Sequence, residues 1–531
     1  MQSPAVRQRQ QIQPQSGLLW LICLFSLVKF AIPFLLQDPV YEPHRDEFLY
    51  LAEGRHLAWG YLEVPPLLSV LTAITNGLGG GFFWIKFWPA LFGAFTYALA
   101  GRMVLLLGGG RFALLLAFLP FVFGYLLHVH FMLQPNFLEV FFWTLMVYGL
   151  VRWINGGRVG GLYLAGIGFG LGMLSKYSVL LFTGSLLLGL LLTPERKVFR
   201  NRHFYFALLV GFGLFLPNGI WQAMHGWPVM THMQELRQQQ LTQVDRLHFV
   251  EDQLAYNLPG LIIWVAGLFW LFGTKAGKPY RFAGWAVLLT LGLLAVAQGK
   301  SYYAMGVYPI LFGFGAVALE RMTATRPRVW RYGLVLFSLG VGCMLDTVVL
   351  PMLPPARLAA FYVRNPVFRR LGFLRWEDQR DHALPQDFAD MLGWEEMALK
   401  AAKAYESLDS LEKSAVLLNS GGNYGESGAL DYYTPKYSLP PVMGRGANYA
   451  LWAPAGFYDR DVFIVITDDR SWVHGEYMKK FAYAAIVDSI THPYARELGT
   501  YFILMKGPDA EVRQHWKTDY KWLRRMQLAA R

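Results

Sequence analysis

Cysteine is almost absent: the chain has two in 531 residues, Cys23 and Cys343. Both fall inside long apolar segments, so they are expected to serve as packing residues, and neither a disulfide framework nor a thiol metal pair is indicated. No Cys/His spacing of the zinc type occurs, and no glycine run matches the phosphate-binding P-loop or the dinucleotide fingerprint. No stretch convincingly repeats another. No small-residue cleavage site follows the first apolar segment, Gly17 to Leu36, so that segment is expected to stay as a helix, with the Gln-rich Met1 to Ser16 in the cytoplasm.

What the chain does have is apolar length. Hydrophobic residues make up 54% and the mean hydropathy is +0.30, which excludes a soluble enzyme. After Gly17 to Leu36, apolar stretches run from Phe83 to Leu107, Phe112 to Met132, Phe137 to Trp153, Gly161 to Leu174, Ser178 to Leu192, Phe204 to Met224, Leu258 to Phe272, Phe282 to Ala297, Tyr303 to Leu319 and Tyr332 to Leu350. Many approach the roughly 20 residues that span hydrocarbon, giving about eleven predicted spans.

Loop charge orients them. Arg7/Arg9, Arg102/Arg111, Arg152/Arg158, Arg196/Lys197/Arg200/Arg202, Lys275/Lys278/Arg281 and Arg321/Arg326/Arg328/Arg331 fall on one side, which the positive-inside rule makes cytoplasmic. The net charge of +12 is then mostly topological, and nucleic acid is not an expected partner. The first external loop (37–82), the loop from Asn218 to Gln253 and everything after Leu350 share the outer face. The chain reads as a transmembrane module, 1–350, followed by a water-soluble domain, 351–531. In that domain Met391 to Ala404 has helical spacing, while Ala415 to Leu418, Val462 to Ile466 and Tyr501 to Met505 suit buried strands, predicting an α/β fold. Asn419 to Glu426 follows the first of these; it reads as a tight turn, or as a phosphate- or sugar-binding loop if a helix comes next.

The first external loop carries the strongest signal. Asp46-Glu47, within His44-Arg45-Asp46-Glu47, opens an expected interfacial helix, Phe48 to Trp59, before Pro65-Pro66 and a second short helix, Leu67 to Leu78. An acidic pair there would cap the helix and face water. Ionised groups at a membrane face are rarely filler, and a carboxylate within hydrogen-bond reach of an attacking hydroxyl is the usual proton acceptor. Asp46 is therefore the candidate general base, against the alternative of an N-cap alone, with Glu47 an orienting or acceptor-binding neighbour.

Several separated motifs carry a resemblance: Asp46-Glu47 with Tyr50 and Gly60-Tyr61 before Pro65-Pro66; Gln134-Pro135 ahead of a carboxylate and Trp143; Gly172 to Lys176-Tyr177; Leu216-Pro217-Asn218 with Trp221 and His225-Gly226; and Lys300 to Tyr302-Tyr303. Over roughly the first 320 residues the chain resembles the polytopic GT-C glycosyltransferases that use polyprenyl-phosphate sugars, in the family 39-like branch of protein O-mannosyltransferases and lipid A aminoarabinose transferases. The resemblance implies a membrane enzyme passing a sugar, usually with inversion, from a polyprenyl-phosphate donor to a lipid, glycan or protein acceptor at the outer face of a bacterial inner membrane. It gives Asp46 the catalytic-base role, and it implies no cofactor.

Two departures shape the remaining assignments. Where many relatives carry an aspartate in the second external loop, this chain has Asn136 and, three positions on, Glu139, which is taken as the matching carboxylate. A buried glutamate there calls for an acceptor hydroxyl, a cation or a basic residue beside it, or a neighbouring helix to pair with. Val64 stands where the aminoarabinose branch has a basic residue that holds lipid phosphate, so Lys176, Lys300, Arg45, Tyr302 and Tyr303 are the candidate phosphate-binding groups, although lysines at span ends also snorkel. His44, Tyr50, Gln134, Asn136, Trp221 and His225 are candidate substrate contacts, with Trp227 a second stacking residue and Gln234 to Asp245 a candidate lid. His44, His128, His130, His225 and His232 share the outer face and raise the question of a divalent metal, but no metal is expected. The alternative function is a transporter or flippase of a lipid-linked or small polar substrate, which would place its polar residues near the midplane and repeat its halves; a membrane-anchored binding protein would leave the Asp46 loop unexplained.

Overall fold

The computed structural model describes residues 16–239, 245–454, 456–470, 472 and 475–527. Arg7, Arg9 and the centre of the expected lid, 240–244, lie outside the described residues. The chain forms two compact units. One comprises Met1–Leu35, Lys86–Gly219 and Gln234–Leu350; the other comprises Leu36–Ile85, Ile220–Met233 and Pro351–Arg531.

The first unit is helical. Among the described residues seven helices are long and apolar enough to cross a membrane, among them α1 (Leu19–Leu36), and two bent helix pairs raise the number to nine. The expected eleven is corrected at two segments. Phe112 to Met132 is broken where Gly124 adopts a φ of 90°, leaving Arg111–Val122 and a five-residue helix, Tyr125–Val129. Gly160–Met173 has 14 residues, about 21 Å of helix against a core of roughly 30 Å. Its glycines let it approach Pro135–Gly156 closely: a Cβ on Gly161 would meet the Gly149 carbonyl oxygen at 2.3 Å.

Pro135–Gly156 and Ser301–Met322 are 83% and 89% buried and form the middle of this unit, whereas Leu19–Leu36 and Arg202–Met224, at 22%, turn their apolar side chains outward as lipid-facing helices do. Cys23 and Cys343 are free and exposed on outward-facing helices. Their apolar neighbours there would be lipid.

The second unit is an α/β domain that includes the loop after α1. Its sheet has the order β2 (Val442–Gly444), β1 (Val416–Ser420), β3 (Val462–Thr467), β5 (Tyr501–Pro508), β4 (Phe481–Ser489). β1 pairs parallel with β2 and β3, and β5 pairs antiparallel with β3 and β4. β1 and β3 are buried along their whole length and read as continuous apolar runs, as parallel strands do. On one face Leu417, Phe463, Val465 and Met505 pack against Val512, Trp516 and Tyr520 of the last helix, Ala510–Gln527.

The first loop folds onto this domain through α2 (Arg45–Arg55) and α3 (Leu67–Gly77). The α2 helix starts three residues earlier than the expected Phe48, and it is buried rather than interfacial. Phe48 sits edge-on to Trp394 and beside Tyr432 and Tyr433, and a Cβ on Gly428 would lie 2.7 Å from that of Phe48. Backbone bonds from Asp38 to Pro351, Glu42 to Met391 and Arg45 to Asp390 join the two segments directly.

Candidate active site

His44 is the N-cap of α2. Its Nδ1 accepts from the Asp46 N–H at 3.1 Å, and Glu47 reaches back to accept from the His44 N–H at 2.8 Å, completing a capping box. The acidic pair therefore divides its roles. Glu47 is fully buried in the cap, correcting the expectation that both carboxylates face water, and Asp46 is released from capping. The Asp46 side chain is 23% exposed. Its Oδ1 accepts a 2.7 Å hydrogen bond from the Tyr424 hydroxyl and lies 3.5 Å from Arg45 Nε. Burial opposes its ionisation, but His44, Arg45 and the Tyr424 hydroxyl outweigh that and hold the carboxyl below its usual range. Tyr50 is one turn along the same helix, and burial with the Asp46 charge keeps its phenol well above 10.

Around this carboxylate the C-terminal domain supplies groups that the sequence did not single out. Asp390, fully buried, lies 3.9 Å from Arg45 Nη2, 3.2 Å from Arg496 Nη1 and 3.7 Å from His44 Nε2, with Asp387 at 3.8 Å from the same nitrogen. Among the described residues His44, Asp387 and Asp390 are the one trio spaced to hold a metal. His44 Nδ1 is already engaged by backbone, so an ion there would have to take Nε2.

Further along α2, Glu53 is fully buried. It accepts from Ser69 Oγ at 2.9 Å and from Asn448 Nδ2 at 3.0 Å, while the same amide donates to Glu63 at 2.8 Å. Burial, and then the Glu63 charge, push the Glu53 carboxyl well above its ordinary value.

In the membrane unit a second constellation forms at the head of Pro135–Gly156. Lys176 donates to Asn136 Oδ1 at 2.7 Å and to Glu139 Oε2 at 2.8 Å, and Ser178 donates to the other Glu139 oxygen. Glu139 is 2% exposed, so its required basic neighbour is Lys176. The ammonium also faces the Tyr303 ring at 4.1 Å and the Tyr302 ring at 5.6 Å. Asn136 donates to Gln134 at 3.0 Å. Five of the residues singled out in the sequence thus meet around Lys176. Lys300 stands immediately before the short helix Ser301–Val307 that carries Tyr302 and Tyr303.

The histidines do not gather. His128 bonds the Val349 carbonyl, His130 stacks on Phe121, and His225 stacks on Trp221 at 4.1 Å while its Nδ1 meets the Trp221 carbonyl at 2.7 Å. Trp227 is half exposed with a positive φ of 58°. The expected lid begins as helix, Pro228–Gln239. The loop after β1 does lead into a helix, Tyr424–Tyr437, the condition set for a binding loop, and its first residue is the partner of Asp46.

A family model described as dolichyl-phosphate-mannose-protein mannosyltransferase matches residues 63–221, the stretch that holds Glu139 and Lys176 but not Asp46. No curated protein matches the chain in sequence. Among solved structures, ArnT from Cupriavidus metallidurans bound to undecaprenyl phosphate is similar with a TM-score of 0.59 at 13% identity, covering 93% of this chain and 100% of that one. The same protein in its apo state gives 0.58 at 12%, covering 93% and 99%. The chain thus shares the fold of this ArnT over most of its length, and over residues 63–221 it also resembles the mannosyltransferase family model.

Proposed function

We propose that this multi-pass membrane protein transfers a sugar from a polyprenyl-phosphate donor to an acceptor hydroxyl at the extracytoplasmic face of a bacterial inner membrane, with inversion and without a resident metal. Asp46 accepts the acceptor's hydroxyl proton as that oxygen bonds to the anomeric carbon. The bond from that carbon to phosphate breaks, and polyprenyl phosphate leaves with the electron pair. Lys176 and Lys300, with Tyr302 and Tyr303, are assigned to the leaving phosphate, which needs cations or donors as its charge develops. The N-terminus is cytoplasmic in this reading, and residues 351–531 are outside.

The observation that carries the proposal is Asp46 itself: a partly exposed carboxylate, relieved of capping by His44 and Glu47, and kept ionised by its neighbours. The fold shared with a protein crystallised with undecaprenyl phosphate supports the donor class. The test is mass spectrometry of purified protein incubated with a panel of polyprenyl-phosphate sugars, following free polyprenyl phosphate, with Asp46→Asn alongside. Release that needs Asp46 is expected. Retained turnover in Asp46→Asn would remove Asp46 as base. No release from any donor, with lipid bound or moved across a vesicle, would replace transfer with transport.

A further inference from the structure

We infer that Tyr424, brought by the C-terminal domain, is a positioning residue for Asp46: its hydroxyl fixes the carboxylate that takes the acceptor's proton. The inference rests on Asp46 being the base.

The geometry starts in the sheet. β1 lies between β2 and β3, and the chain leaves its carboxyl end through Gly421 and Gly422 into the helix that begins at Tyr424. Chain connections run from β1 to one side and then to the other, so this loop sits at a switch point, the place where open α/β sheets hold their ligands. Asn423 fixes the loop: its side chain accepts from the Gly425 N–H at 2.7 Å and donates to Glu497 at 3.0 Å.

The first turn of this helix then meets the start of α2. A Cβ on Gly425 would fall 2.3 Å from Arg45 Cγ, so glycine is what lets the Arg45 stem lie on the helix. The Arg45 guanidinium covers the Tyr424 ring at 5.6 Å, and the Tyr424 hydroxyl donates to Asp46 Oδ1 at 2.7 Å. Tyr424 is thereby clamped between a fixed loop and an arginine, with its only rotatable donor aimed at the base. A hydrogen bond to an ionised group is stronger than one between neutral groups, and it orients the carboxylate while lowering its proton affinity. The groups that face Asp46 are His44 and Arg45 beside it, Tyr50 on the same helix, and Tyr424, with Asp387 behind the histidine and Asp390 behind the arginine. Tyr424 reaches Asp46 by a hydrogen bond from 378 residues away.

The test is Tyr424→Phe in the full-length protein, which keeps the ring under Arg45 and deletes only the hydroxyl. Turnover is followed as polyprenyl phosphate release across pH. The acidic limb of the profile, set by the base, is expected to move up by about one pH unit, and kcat to fall about tenfold with the donor KM unchanged. A second variant, with 3,5-difluorotyrosine at position 424, has a more acidic phenol and should move the limb the other way. A wild-type limb and rate in both, while Asp46→Asn is inactive, would overturn the inference and leave Asp46 as base. Turnover in Asp46→Asn would remove both.

Discussion

Glu53→Gln should stabilise the protein at neutral pH, and progressively less as the pH falls toward 4.5. Glu53 is fully buried, with one oxygen on Ser69 and the other sharing the Asn448 amide with Glu63. Burial raises its carboxyl well above the ordinary 4.5, and neither hydrogen bond offsets this. In the unfolded chain it ionises near 4.5. A group whose folded pKa is raised gives stability that is fully present below the unfolded value and is lost as pH climbs toward the folded one. Between the unfolded and folded values each pH unit costs about 1.4 kcal/mol through this one group. Glutamine has the shape of the protonated acid, accepts from Asn448 and donates to Ser69, but carries no titration. For a domain of this size that corresponds to about 3–6 °C in melting temperature for each pH unit within that interval. Thermal melts of wild type and variant in the same detergent, followed by tryptophan fluorescence from pH 5 to pH 7, isolate the difference. Parallel curves over that range would refute the reasoning, because they would mean that Glu53 is ionised in the fold.

Three further variants test the contacts that hold the other elements. Lys176→Ala leaves Glu139 buried with Ser178 and should cost about 3–5 kcal/mol; Glu139→Gln with Lys176→Met should recover much of that stability, so that any remaining loss of polyprenyl phosphate release belongs to the lysine itself. A wild-type melt for Lys176→Ala would show that the pair is solvated. Glu42 accepts from the backbone N–H groups of Gly393, Trp394 and Glu395 and from the Tyr433 hydroxyl. Glu42→Ala should therefore lower stability by about 3 kcal/mol, and an unchanged melting temperature would deny that this contact anchors the first loop to the domain.

The spans were legible because hydropathy is a local property, and the errors follow from the same cause. Phe112 to Met132 is apolar throughout, but its interruption depends on one backbone angle at Gly124, which no average over a window registers. Of the five strands, β1, β3 and β5 announced themselves as apolar runs. β4, with most of its residues exposed or half exposed, and β2, three residues long, carry little signal. The first loop was read as interfacial because α2 mixes Phe48 and Leu49 with charged residues. Two of those charges turn out to be internal: Glu47 closes a cap and Glu53 binds Asn448, whereas Arg55 stays exposed. Periodicity cannot separate a charged residue with water beside it from one with a partner hundreds of residues away.

The site was half legible for a related reason. His44-Arg45-Asp46-Glu47 has the spacing of a capping box, in which the fourth residue returns to the first, and that pattern alone could have assigned Glu47 to structure and set Asp46 apart. Lys176 and Glu139 were found separately, by their places in two motifs, and their pairing answers what a buried glutamate requires. Tyr424 had no such signal: a tyrosine after a glycine-rich turn is ordinary, and only the parallel β1–β3 pairing aims that turn at the first loop. An aspartate held below its usual range is a weak base in isolation, so its usefulness must come from orientation more than from proton affinity. That is why the C-terminal domain matters to the chemistry. The same contacts that keep Asp46 ionised also fix where its oxygens point, and the most remote of them in sequence comes from the segment that composition marked as a separate, soluble module.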